Sequence, residues 1–220
     1  MVIWPVSWFV AGEDRHQALD VVRELNARGL SVSLDRLGEN VKERERAEHF
    51  RDVYVRLLHG IADAGVDANI SIKLTMIGLD IDPDLCARNL ERLLVRAAQR
   101  DSAIVWVDME SSPYVDRTLD LVRHARARTS RIGVALQAYL RRTERDVEDL
   151  LPLGIAIRMV KGAYLEPADI AFPKKADTDE NFYRLCTRLL SEEARRAGVL
   201  LHIGTHDTTL ADRLLAFIAS

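Results

Sequence analysis

Arg158 and Lys161 close an apolar run in the stretch RMVKGAYL (158–165), with Gly162 beside them. A cationic strand tip next to a glycine suits an anionic, electron-rich or phosphorylated partner, because fixed positive charge stabilises negative charge held against it. Residues three apart on a regular strand face opposite sides. Both cations can serve one ligand only if the strand breaks near Val160, which Gly162 makes easy. Otherwise Arg158 pairs inward with an aspartate and Lys161 is solvated. Lys73 lies in the apolar stretch NISIKLT (69–75). An ammonium buried there is costly without a partner, so it needs a salt bridge to Asp108 or Asp35, a substrate carboxylate, or both. Asp108 and Glu110 share a face in DME (108–110) if the strand persists; failing that, Glu110 is a solvated or loop-capping carboxylate. A lysine could also form a Schiff base, although nothing local singles that out. His202, His206, Asp108 and Glu110 contain no H-x-H or H-E-x-x-H pair, so no metal is expected.

The elements that must position these groups alternate. Ala18, Val21, Val22 and Leu25 predict a leading helix ending near Gly29. Strands are predicted at 31–35, 69–75, 103–108, 132–137, 155–160 and 199–205. Helices between them follow from apolar residues at helical spacing: Phe50 to Ile61, Cys86 to Ala97, Val115 to Val122, a short one at Val147 to Leu151, Phe182 to Leu190, and Leu210 to Phe217. Asp82-Pro83 and Ser112-Pro113 each read as an N-cap followed by a proline at the first helical position, and Asp207 as the cap of the last helix. The longest connection, Glu166 to Thr178, follows the RMVKGAYL strand and is expected to be an active-site loop.

Strict alternation with strands this apolar means a parallel sheet covered by helices. No G-x-G-x-x-G marks a doubly wound nucleotide fold. Polar groups instead end strand after strand: Asp35, Lys73, Asp108, Gln137, Arg158 with Lys161, and Thr205-His206. That pattern points to an α/β (βα)8 TIM-type barrel with its chemistry at the C-terminal ends of the strands. Such a barrel needs eight strands. Six strand–helix units are counted, so the barrel reads as truncated after about six βα units, with a leading N-terminal helix, and residues 1–220 form a single, partial domain.

Of the 220 residues, 48% are hydrophobic and 30% charged, enough for one sizeable core. The net charge of −3 makes no electrostatic case for nucleic acid or an anionic membrane. No apolar run spans a bilayer, and the apolar start MVIWPVSWFVAGE lacks the positive region of a signal peptide. Cys86 and Cys186 fall on apolar helix faces, as packed thiols in a reducing cytoplasm would. The Arg/His run from Arg123 to Arg131 and the trio Arg141, Arg142 and Arg145 read as solvated helix faces or loops.

Six segments together resemble the proline dehydrogenase family: SLDRLGENV (33–41), SIKLTMIGLDID (71–82), VDMESSP (107–113), LQAYLRR (136–142), RMVKGAYLEP (158–167) and GTHD (204–207). The resemblance runs in order from about Phe9 to the C-terminus. The likeness is to the flavin-dependent monofunctional enzymes of bacteria and to the same domain in bifunctional proline utilisation proteins. It implies a (βα)8 barrel holding FAD across its mouth and oxidising L-proline to Δ1-pyrroline-5-carboxylate, with hydride passing to flavin N5 and electrons then to a quinone. It implies that Lys73 pairs with the proline carboxylate, that Asp108 orients that site, and that Arg158 sits by the flavin N5. Met109, Gln137, Val160, Lys161, Gly162 and Ala163 would contact FAD, Tyr164 would shape the site, and Thr205 and His206 would lie along the phosphate or adenosine portion. The location implied is cytoplasmic, with peripheral placement at the inner membrane through the quinone. The family also uses a pair of adjacent arginines in its last helix, which no segment here supplies; Arg141-Arg142 fall in the wrong segment. Leu165 stands where some relatives carry tryptophan. Two other readings remain open: a flavin-free lyase or aldolase using a Schiff-base lysine, and an inactive fragment.

Overall fold

The structure is a computed structural model that describes residues 10–99 and 103–219. The apolar start at residues 1–9 lies outside them. The chain divides into two compact units, one ending at Val105 and the other starting at Trp106. Within each unit the strands follow chain order: the first two lie side by side, and the other four succeed one another.

In the first unit, α1 (Arg15–Ala27) is followed by β1 (Val32–Asp35), α2 (Arg44–Ala64), β2 (Ala68–Ile72) and α3 (Pro83–Ala97). Asp14 caps α1, its carboxylate accepting from the His16 and Gln17 N–H groups. Asp82 caps α3 through the Asp84 N–H at 2.9 Å, with Pro83 at the first position, as expected. β1 and β2 pair in parallel, Val32 to Asp35 opposite Ala68 to Ser71. Leu19 and Val22 of α1, Tyr54, Leu58 and Ile61 of α2, Ile70 and Ile72 of β2, and Leu90 and Leu93 of α3 make the core. The expected strand at 69–75 stops early. After Ile72 the chain turns into a short 3-10 helix, Leu74–Ile77, that ends at Gly78. Ser71, Lys73 and Thr75 therefore do not line one strand face; buried Thr75 instead takes the Asn40 N–H at 2.9 Å.

β3 (Val105–Val107) leads into the second unit. There α4 (Val115–Arg126), β4 (Ile132–Gln137), α5 (Thr143–Leu150), β5 (Ala156–Val160), α6 (Lys175–Leu189), α7 (Glu192–Ala197), β6 (Leu200–Gly204) and α8 (Thr208–Ala219) follow. β4, β5 and β6 are parallel neighbours. Every residue of β4 is buried, as a strand covered on both faces must be. Val115, Leu119 and Val122 of α4, and Phe182, Leu185, Cys186 and Leu189 of α6, are buried too. Both cysteines are buried thiols outside any disulfide, and burial pushes the Cys186 thiol up to about 12. Ser112-Pro113 does not cap α4: it opens a 3-10 turn, Ser112–Tyr114, and α4 starts at Val115. α7, capped by Ser191, escaped prediction because six residues carry too little periodicity. Among the described residues, no helix is long and apolar enough to cross a membrane.

Candidate functional site

Each unit brings its own polar groups to the C-terminal ends of its strands. In the first, Lys73 Nζ lies 3.4 Å from Asp35 Oδ2, and both side chains are largely covered. Tyr54 donates to the other Asp35 oxygen at 3.1 Å. Asp35 is one of the salt-bridge partners allowed above for Lys73.

In the second unit, Arg158 Nη1 donates to Asp108 Oδ1 at 3.2 Å. β3 ends at Val107, so the expected strand through Glu110 does not persist. Glu110 is buried rather than solvated, as is Met109. Gln137 is buried as well, and its Nε2 donates to the Met109 carbonyl at 3.3 Å. The Gln137 Oε1 is buried without a hydrogen-bond partner.

β5 ends at Val160, and Gly162 follows at φ +127°. That is the break required above. Lys161, just past the end of β5, meets two carboxylates, Asp179 at 2.6 Å and Asp207 at 2.8 Å, so it is not the solvated cation of the simpler reading. The Asp179 contact is a close ion pair whose alignment is too poor for a hydrogen bond. Lys175 pairs with the same two aspartates. Lys161 above all, with the Leu210 N–H and Lys175, holds the Asp207 carboxyl well below the usual carboxylate range. Burial alone would raise Asp179; Lys161 and Lys175 outweigh it. Asp207 also caps α8 through the Leu210 N–H, as expected, and Thr205 Oγ1 accepts its N–H. Gly162 and Ala163 are exposed, His206 is exposed, and Val160, Tyr164 and Thr205 are half-buried.

The loop after β5 is stitched down. Tyr139 N–H donates to the Lys161 carbonyl and Phe172 N–H to the Tyr139 carbonyl, both at 2.8 Å. Arg141 donates to the Ala168 carbonyl and lies 4.7 Å over the Phe172 ring, so it is not simply solvated. Arg142 bridges Asp116 and Asp146. The Glu166 carboxylate accepts from both Ser112 N and Ser112 Oγ at 2.7 Å. Ser112 and Arg141 take roles other than those expected, and those of Tyr139 and Glu166 went unread, because each acts through partners distant in sequence. Trp106 is a further residue missed, and His202 was weighed only as a metal ligand: the ring of Trp106 lies 4.5 Å from the guanidinium of Arg158 and 4.5 Å from the ring of His202. Burial, then the Arg158 cation, draws the His202 pKa below its ordinary value. Among the described residues, no group of three His, Cys, Asp or Glu converges as a metal would need.

The family model for proline dehydrogenase matches residues 18–219. The chain belongs to the proline dehydrogenase family. It is 36% identical over 203 residues to proline dehydrogenase 2 of Bacillus subtilis, covering 92% of this chain and 65% of that protein. It is 35% identical over 215 residues to the proline dehydrogenase of Deinococcus radiodurans, covering 96% of this chain and 67% of that one. The chain thus spans about two thirds of the length of these proline dehydrogenases. A crystal structure of proline utilization A from Bdellovibrio bacteriovorus, inactivated by N-propargylglycine, superposes with a TM-score of 0.87 at 20% identity, over 96% of this chain and 26% of that one. That likeness gives the fold as α/β and barrel-like.

Proposed function

We propose that this chain carries the flavin site of a proline dehydrogenase, which oxidises L-proline to Δ1-pyrroline-5-carboxylate and passes the electrons to a quinone. The observation that carries the reading is the match to proline dehydrogenases over nearly the whole chain. The uninterrupted family match also supports reading residues 1–220 as part of one domain.

The residues fit FAD. Gln137 Oε1 is a buried acceptor without a partner, which a ring N–H can satisfy. Arg158 in β5 and Lys161 just past its end offer cations. Met109, Gln137, Val160, Lys161, Gly162 and Ala163 would hold the cofactor, with Thr205 and His206 toward its phosphate or adenosine portion. When bound, FAD supplies the two-electron acceptor for proline oxidation. Lys73 would bind the substrate carboxylate, positioned by Asp35, and Tyr164 would wall the site. Asp108 fixes the Arg158 guanidinium, so that a cation stands ready where negative charge develops. The net charge of −3 gives no basis for a nucleic-acid partner. Placement in the cytoplasm, peripheral to the inner membrane, follows from a quinone acceptor.

The test is to titrate the purified protein with FAD and add L-proline without oxygen. Bound flavin should bleach as proline is added. A flavin spectrum unmoved by saturating proline would refute the substrate.

A further inference from the structure

Trp106 is wholly buried, and it belongs to β3, whereas Arg158 belongs to β5 and His202 to β6, where the latter two are register partners. A β3 side chain reaches β5 only by crossing β4. Gly133 makes the crossing possible: a Cβ there would stand 2.6 Å from the indole Cε3 and 2.7 Å from Cζ3. Ala135, the β4 partner of Arg158, is the next residue on that face and is also small. The indole Nε1 is buried without a hydrogen-bond partner. Leaving a buried N–H unpaired costs stability, and phenylalanine would occupy much of the same slot without that cost. What the indole offers in return is the strongest cation-binding ring face among the side chains.

We propose that Trp106 is a positioning residue for Arg158: lying across Gly133, with His202 packed on it, it presents its ring to the guanidinium while Asp108 takes an N–H. The cation is then held both by its flat face and by its edge, which a guanidinium allows and an ammonium does not. A group fixed in this way needs no reorganisation when charge develops beside it. The effect on chemistry rests on the flavin reading above; the clamp itself rests on geometry alone.

Trp106→Phe tests it, because this variant weakens the ring face while removing the orphan N–H. The melting temperature is expected to equal or exceed that of the unchanged protein, and the FAD dissociation constant to stay within about twofold. The midpoint potential of the bound flavin should become more negative, and kcat with proline should fall about three- to tenfold with little change in KM. Gly133→Ala, which drives a methyl into the indole, should shift the potential the same way while lowering the melting temperature. Without flavin, the Arg158 Nε–Hε signal in NMR, assigned by its loss in Arg158→Lys, should exchange with water faster in Trp106→Phe. If Trp106→Phe leaves both the potential and the exchange rate unchanged, the proposal is overturned. Protein that takes up no FAD overturns the proposed function instead, and the exchange rate still decides the clamp.

Discussion

Arg158 in the middle of β5 reaches across β4 to Asp108 at the end of β3, Nη1 to Oδ1 at 3.2 Å. Both side chains are mostly covered, so removing either strands the other in a poorly hydrated place. Arg158→Met is expected to lower kcat/KM for proline on the order of a hundredfold, the scale of losing one donor aimed at developing charge. Asp108→Ala should cost about tenfold through a loosened guanidinium. In Asp108→Ala/Arg158→Met the losses should not add, because both act through one cation. Steady-state kinetics on the four proteins measures the coupling; additive losses would contradict a shared role.

His202 gives stability a pH dependence. Burial, then Arg158, draws its pKa below the ordinary 6.5. Between the two pKa values the unfolded chain binds more protons than the folded one, so stability falls as pH falls. The contribution is fully present above about pH 6.5 and is lost on acidification through the folded pKa. Urea midpoints taken at falling pH should drop more steeply below about pH 6.5 in the unchanged protein than in His202→Gln. Parallel curves would contradict this assignment.

Glu166 ties the loop after β5 to Ser112 with two bonds to one carboxylate. Glu166→Ala should destabilise the protein by about 1–3 kcal/mol, the usual loss for charge-assisted bonds that are partly covered. The loop should also become the first site of limited proteolysis. Cleavage there at an unchanged rate would show that the backbone bonds from Tyr139 and Phe172 suffice to hold it.

Gly162 is required twice over. Its φ of +127° disfavours a side chain, and a Cβ would stand 2.2 Å from the Tyr139 ring. Gly162→Ala should therefore destabilise by about 2–4 kcal/mol and displace Lys161 from Asp179 and Asp207. Chemical denaturation checks the first effect, and a weakened FAD affinity checks the second.

Much of the fold was legible because it is written in periodicity. Apolar spacing predicted α3, α4 and α6, and the Asp82 and Asp207 caps declared themselves by residue type. The alternation of elements implied a parallel sheet before any pairing was seen. What failed was local or distant. The 3-10 turn at Leu74–Ile77 hides inside a run whose alternation suits a strand, since its apolar residues are needed for burial either way. Ser112 looked like a helix cap because Ser-Pro fits one; its real partner, Glu166, is 54 residues away. The role of Gly133 was invisible for the same reason: only the indole of Trp106, packed against it, gives the missing side chain a meaning.

The most direct measurement is of the product. The purified protein, FAD and a soluble quinone should be incubated with L-proline, and the mixture analysed by mass spectrometry and by trapping the cyclic imine with o-aminobenzaldehyde. The expected product is Δ1-pyrroline-5-carboxylate, formed in step with quinone reduction and greatly reduced in Arg158→Met. Flavin-loaded protein that leaves proline intact, or that forms product equally well without Arg158, would contradict it.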